Sequence, residues 1–232
     1  MRLAIMQPYF FPYIGYFQLM ATVDRFVVYD DVNFIRQGWI NRNRMLCDGR
    51  PVYFTVPVQD ASSFRLIHET LVADRAQWMA RMLKSIRQNY SKAAFFDDAF
   101  ALFQSVVASD AADFATLSRR SIEAVAKYIG LETEIVSSSR RYDNRQLSGQ
   151  DRVIDICCQE RCGTYVNMIG GASLYDPEAF AARGVRLEFL EPRPFEYRQL
   201  GSPFVPWLSI VDVLMFNPPE DVHRAVAACE LT

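Results

Sequence analysis

Apolar runs of strand length alternate with amphipathic stretches at both ends of the chain, and a long stretch of helical spacing separates the two ends. Positions 3–6 form a short apolar run. Positions 7–12 are rich in proline and aromatic residues, and 13–21 predict a short helix opening after Pro12. A second apolar run covers 25–29 and closes on Asp30-Asp31. Strand, helix, strand predicts a βαβ unit with parallel strands and a right-handed crossover. The stretch 39–46 carries Asn41, Arg42, Asn43 and Arg44, Asp48-Gly49 reads as a turn, and 52–58 alternates as a strand with Pro57 near its end.

From Ala76 the apolar spacing changes to threes and fours. Met79, Met82, Leu83, Ile86 and Tyr90 form one stripe, and Phe96, Phe100, Phe103 and Val107 a second. Phe114, Leu117, Ile122, Val125 and Ile129 form a third, closed by Gly130. Such stripes are core faces far more often than ligand walls. Positions 137–149 are polar and predict a mobile linker or lid. A helix over 151–162 stops at Gly163, and 164–168 is a strand. Asp176-Pro177 caps a helix that Gly184 ends, 185–189 alternates as a strand, 207–216 is apolar, and 221–229 is a last helix. The whole predicts an α/β fold: a Rossmann-like, three-layer, mostly parallel sheet with a helical insertion. Residues 1–75 form the N-terminal half of the core, 76–136 the insertion, and 137–232 the C-terminal half.

Composition narrows the class. Half of the 232 residues are hydrophobic and 22% are charged, which excludes a disordered chain. A net charge of −2 gives no electrostatic footprint for stable nucleic-acid binding. The basic residues are 22 arginines and 3 lysines, a bias that a GC-rich genome explains without invoking anion pairing. Cys47, Cys157, Cys158, Cys162 and Cys229 form no C-x-x-C pair, and His68 and His223 lie far from them in sequence. No zinc site is expected, and reduced thiols suit a cytoplasmic protein. The opening run breaks at Gln7-Pro8, short of a signal peptide or a span of about 20 residues, so no membrane insertion is expected.

In open parallel sheets, ligands bind beyond the carboxyl ends of the strands. The loop 7–12 and the segment 30–33 should therefore share one crevice. From the first come Gln7, Tyr9, Tyr13 and Gly15, a ring wall with a glycine that allows close approach. From the second come Asp30 and Asp31, candidates for catalysis as a general base or as ligands of Mg²⁺ with substrate phosphates. Asn33, Arg36, Trp39, Asn41, Arg42, Asn43 and Arg44 follow within fourteen positions. Arginine forks suit phosphates, and on an extended segment Arg42 and Arg44 share one face, Asn41 and Asn43 the other. Asn167 at a strand end and Gly170-Gly171 after it form a weaker candidate. Ser209 and Asp212 read as a helix cap or a site edge. Neither histidine has the surroundings of a Ser-His-Asp triad.

Met6-Gln7-Pro8-Tyr9-Phe10-Phe11-Pro12-Tyr13-Ile14-Gly15-Tyr16 resembles the opening of the WbqC-like protein family. Asp30-Asp31-Val32-Asn33, the run 39–44, Ile169-Gly170-Gly171 and Leu208-Ser209-Ile210-Val211-Asp212 resemble it in the same order, across nearly the whole chain. The resemblance implies a part in bacterial surface-polysaccharide and O-antigen biosynthesis, with acyl or aminoacyl transfer to an amino sugar as the suggested chemistry. A more distant likeness is to the HIGH-motif nucleotidylyltransferases. Tyr13 and Tyr16 stand where that motif carries imidazoles, and a neutral phenol cannot supply their positive charge.

The expectation is a transferase acting on a nucleotide-activated amino sugar. Asp30 or Asp31 deprotonates the amine or holds Mg²⁺, and Arg36, Arg42 and Arg44 hold the diphosphate. Tyr9, Tyr13 and Trp39 wall the rings, and Asn33, Asn41, Asn43 and Asn167 read hydroxyls. The alternatives are a nucleotidylyltransferase with a degenerate motif and a non-catalytic nucleotide- or sugar-binding subunit. Whether the chain forms a homo-oligomer is left open.

Overall fold

The computed structural model describes residues 1–201, 203–229 and 231. Its centre is a parallel sheet of β1 (Arg2–Met6), β2 (Arg25–Val28), β5 (Glu134–Val136), β6 (Thr164–Met168) and β7 (Arg186–Leu190), in the order β5-β2-β1-β6-β7. β3 (Arg42–Cys47) and β4 (Arg50–Thr55) form a separate antiparallel hairpin. The crossover from β1 to β2 is α1 (Ile14–Ala21), as the spacing predicts, and Leu3 pairs with Arg25 through to Met6 with Val28.

Because side chains alternate along a strand, each strand serves two layers. Ala4, Phe26 and Val166 enter the larger core on one face, while Leu3, Ile5, Val27 and Tyr165 enter the smaller core on the other. The smaller core is closed by α5 (Gly149–Gln159) and α6 (Pro177–Ala181) through Val153, Ile156, Cys157 and Phe180. The larger takes α1, α7 (Ile210–Phe216) and α8 (Pro219–Ala227). This is the α/β, Rossmann-like three-layer arrangement.

The three helical stripes are α2 (Arg75–Tyr90), α3 (Phe96–Val107) and α4 (Phe114–Tyr128). Their apolar faces, including Met82, Ile86, Phe103 and Leu117, join the larger core rather than forming one of their own. α4 starts at Asp113, whose carboxylate accepts the Thr116 N–H at 2.8 Å. α6 starts with Asp176 capping Glu178 at 3.0 Å and Pro177 at its first position. No helix among the described residues is long and apolar enough to cross a membrane.

Two segments differ from the sequence reading. β5 is three residues long, too short to show an alternating pattern. The polar stretch 137–149 is not a lid: it forms a 3₁₀ turn over Ser139–Tyr142, and Ser139, Tyr142 and Asn144 are buried. Hydropathy misreads it because its buried side chains are held by hydrogen bonds.

Candidate functional site

β2 lies on one side of β1 and β6 on the other, so the loops leaving β1 and β6 diverge. A cavity of about 350 Å³ opens at this point. Met6, the last residue of β1, and Met168, the last of β6, form its base. Tyr9, Pro12, Tyr13 and Tyr16 form one wall, Trp39, Asn43 and Arg44 another, and Trp207 closes the rim.

The aromatic loop divides between core and cavity. Phe10, Phe11 and Phe17 are fully buried, while Tyr9 and Tyr13 are partly exposed. Phe11 holds a left-handed backbone, φ 41°, which costs a bulky residue about 1–2 kcal/mol. Three hydrogen bonds hold it there. Its N–H donates to Ser121 Oγ at 3.0 Å, and its carbonyl accepts from Asn43 Nδ2 at 2.8 Å and Ser209 Oγ at 2.7 Å. At about 1 kcal/mol each these offset the strain. Phe10 N–H reaches the Ile40 carbonyl at 3.0 Å, and Tyr16 Oη donates to the Gln7 carbonyl at 3.0 Å. Gln7 is half-buried and is not among the described residues of the cavity lining.

Burial pushes the Tyr9 phenol up, and burial followed by the neighbouring Tyr9 pushes Tyr13 up to about 12. Both remain protonated near neutrality and can donate hydrogen bonds. Arg44 supplies the cation of the lining. Its Nη2 donates to the Trp207 carbonyl at 3.2 Å, and its guanidinium carbon lies 5.7 Å from the Trp39 ring centre. Its Nε is buried without a partner. Arg42 shares the Trp39 face, as the alternation predicts. It stacks on Tyr53 at 4.9 Å and donates Nε to the Gly38 carbonyl at 2.9 Å and Nη2 to that of Gln37, so it shapes the turn before β3.

The acidic doublet is elsewhere. Asp30 and Asp31 are 3% and 2% exposed and do not line the cavity. Ser138 Oγ donates to both oxygens of Asp30, at 2.7 and 2.9 Å, and the Ser139 N–H adds a bond at 3.2 Å. Ser139 Oγ donates to Asp31, and Arg152, itself buried, pairs with the other Asp31 oxygen. Arg152 also lies 5.0 Å from the Tyr29 ring and donates to Asn144 at 2.9 Å. The pair expected to be catalytic thus lies buried, outside the cavity lining. The carboxylates at the end of β2 bind the β5–α5 connection to the sheet, and their oxygens are taken by hydroxyl, amide and guanidinium donors. Such a set does not fit Mg²⁺, which needs open oxygens. Among the described residues no group of three or more His, Cys, Asp or Glu side chains forms a metal site.

The remaining candidates scatter. Asn33 and Arg36 are exposed and outside the cavity lining. Asn41 Nδ2 donates to the Val56 carbonyl at 2.9 Å. Asn167, nearly buried, accepts the Met168 N–H at 2.7 Å, and a methyl group on Gly171 would come within 3.2 Å of its Nδ2, while one on Gly170 would meet open space. Ser209 caps α7. Asp212 is fully buried, accepting from Tyr90 Oη at 2.6 Å, Tyr197 Oη at 2.5 Å and Gln199 Nε2 at 3.1 Å. It is part of the packing beneath α7 rather than a site edge. Burial raises its carboxyl above the ordinary range, and the three donors oppose the shift.

Sequence reasoning missed Trp207, Met6 and Met168 as lining, and Ser138, Ser139 and Arg152 as partners of the doublet. Trp207 has φ 60°, a backbone state that its residue type does not announce.

A profile described as the WbqC-like protein family matches residues 7–224. The chain is 32% identical over 220 residues to the Mycobacterium tuberculosis protein Rv1507c, itself described as uncharacterized, and the match covers 93% of each chain. No solved structure matches this chain at a significant level.

Proposed function

We propose, from the premise that this chain belongs to the WbqC-like protein family, that it serves bacterial surface-polysaccharide biosynthesis by binding a nucleotide-activated amino sugar between β1 and β6. The finer reading is a transferase that delivers an acyl or aminoacyl group to the sugar amine. One observation carries the binding: a cavity walled by aromatic rings, where Arg44, the cation among the described lining residues, keeps a buried, unpartnered donor. Rings on Tyr9, Tyr13 and Trp207 suit stacking with a nucleobase. A guanidinium suits a diphosphate better than an ammonium does, because its donors form a fixed fork. The protonated phenols can donate to phosphate or sugar oxygens.

A second reading has its own support. The described lining residues include no carboxylate, imidazole or thiol. A binding subunit that presents the activated sugar to a partner enzyme needs none. The nucleotidylyltransferase alternative loses support, because Tyr13 and Tyr16 offer neutral phenols where that chemistry uses imidazoles.

Calorimetry against a panel of nucleotide-activated amino sugars tests the binding. Wild type should bind at least one, and Arg44→Ala should weaken it about tenfold or more. If no nucleotide sugar binds, or Arg44→Ala binds equally well, the proposal fails. Mass spectrometry of the sugar after incubation with acyl donors separates transferase from binding subunit.

A further inference from the structure

The rim beside the cavity carries large apolar side chains in open solvent. Phe64 is 92% exposed, Tyr53 57%, Ile35 50% and Trp39 45%. They lie on two adjoining segments, the stretch 33–39 with its partner 64–66 and the β3–β4 hairpin. Asn33 bridges Leu66 in antiparallel sense and Phe34 N–H reaches the Arg65 carbonyl at 2.8 Å, which brings Ile35 level with Phe64. A methyl group on Gly38 would come within 3.0 Å of Ile35 Cγ2, and the Gly38 carbonyl holds Arg42. Arg42 lies on Tyr53, and the Tyr53 ring is 5.9 Å from Trp39 in the cavity wall.

An apolar patch of this kind marks an interaction surface, since isolated exposed residues are ordinary and contiguous ones are not. Its charge tells which kind. Within residues 33–66, Arg36, Arg42 and Arg65 flank the exposed rings with Asp60 as their one acid, while Arg44 lines the cavity and Asp48 and Arg50 sit at the far turn of the hairpin. We propose that this rim docks the protein on an anionic phospholipid surface, with the cavity mouth beside the headgroups. Aromatic and aliphatic side chains enter the interfacial zone while arginines meet lipid phosphates. Isoleucine and a loop phenylalanine suit acyl chains; they give no hydrogen-bond reading of a nucleic acid. The contact is peripheral. It requires no spanning helix and does not depend on the identity of the cavity ligand.

Sedimentation with lipid vesicles tests the proposal. Full-length protein should sediment with vesicles containing about one quarter phosphatidylglycerol, and at least about fivefold less with pure phosphatidylcholine. Binding should fall in about 0.5 M salt, where screening is nearly complete. The double variant Ile35→Ser/Phe64→Ser should lose most of the binding while keeping the wild-type melting temperature. Phe64→Ser alone, at an almost fully exposed position, should lose part of it. Equal sedimentation with both vesicle types, or unchanged binding by a folded double variant, overturns the proposal. So does sedimentation velocity showing a wild-type dimer that the double variant dissolves, which assigns the face to a second copy. Nucleotide-sugar binding in solution by the double variant separates failure here from failure of the cavity reading.

Discussion

The Tyr13 ring lies directly across the α-carbon of Gly15. A methyl group placed on Gly15 would come within 2.7 Å of Tyr13 Cζ and 2.8 Å of its Oη. Two residues apart, one makes room for the other. In Gly15→Ala the ring must leave its place in the cavity wall. Affinity for the nucleotide sugar should fall about tenfold, whereas stability should fall by no more than about 1–3 kcal/mol, the range for an overpacked methyl group. Calorimetry paired with a thermal melt checks both, and an unchanged affinity would show that the position of Tyr13 is irrelevant to binding.

Asp31→Ala should unfold far more easily than its size suggests. It strands the buried Arg152 guanidinium without its counter-charge, a loss of about 3–5 kcal/mol. Urea titration measures it. A variant as stable as wild type would mean that Arg152 finds water or another partner, and that the doublet is not a fastening.

Ser209→Ala removes two bonds at once, the cap on Val211 N–H at 3.3 Å and the donor to the Phe11 carbonyl at 2.7 Å. Together these are worth about 1–3 kcal/mol. The loss should appear in the urea midpoint and, because Phe11 adjoins Pro12 and Tyr13, as weaker ligand binding too. Loss of stability with full affinity would separate the strained loop from the cavity.

Asp212 makes stability depend on pH in a defined direction. Its folded pKa lies above its ordinary value of 3.8, so the folded state holds this proton more tightly than the unfolded chain. As pH rises from about 4 through the raised pKa, this group costs stability; above that pKa the cost is constant. Asp212→Asn lacks the term. The variant should therefore gain on the wild type as pH rises from about 4 through that raised pKa, read as diverging urea midpoints. Parallel curves would falsify the assignment.

Much of the fold could be read from the chain because its signals are local. The strand ending at Met6, the crossover helix, the stripes from Met82 to Val125 and the Arg42/Arg44 alternation all follow from spacing of a few residues. The location of the cavity could not. It opens on the β6 side of β1 rather than the β2 side, and strand order is set by pairing across more than 150 positions. The setting of the doublet was hidden for a related reason. Two adjacent acids at a strand end suggest chemistry when seen alone, but Ser138, Ser139 and Arg152, more than 100 positions away, turn them into a joint. Likewise the polar stretch 137–149 looks solvated until its partners are known.

The strained backbone at Phe11 is held by Asn43, Ser121 and Ser209, which stand 32, 110 and 198 positions along the chain. The loop that shapes the pocket can therefore settle only after distant parts of the polypeptide have converged. A chain lacking its last quarter would lack Ser209 and Trp207, and with them one of the three bonds on Phe11 and the rim of the cavity.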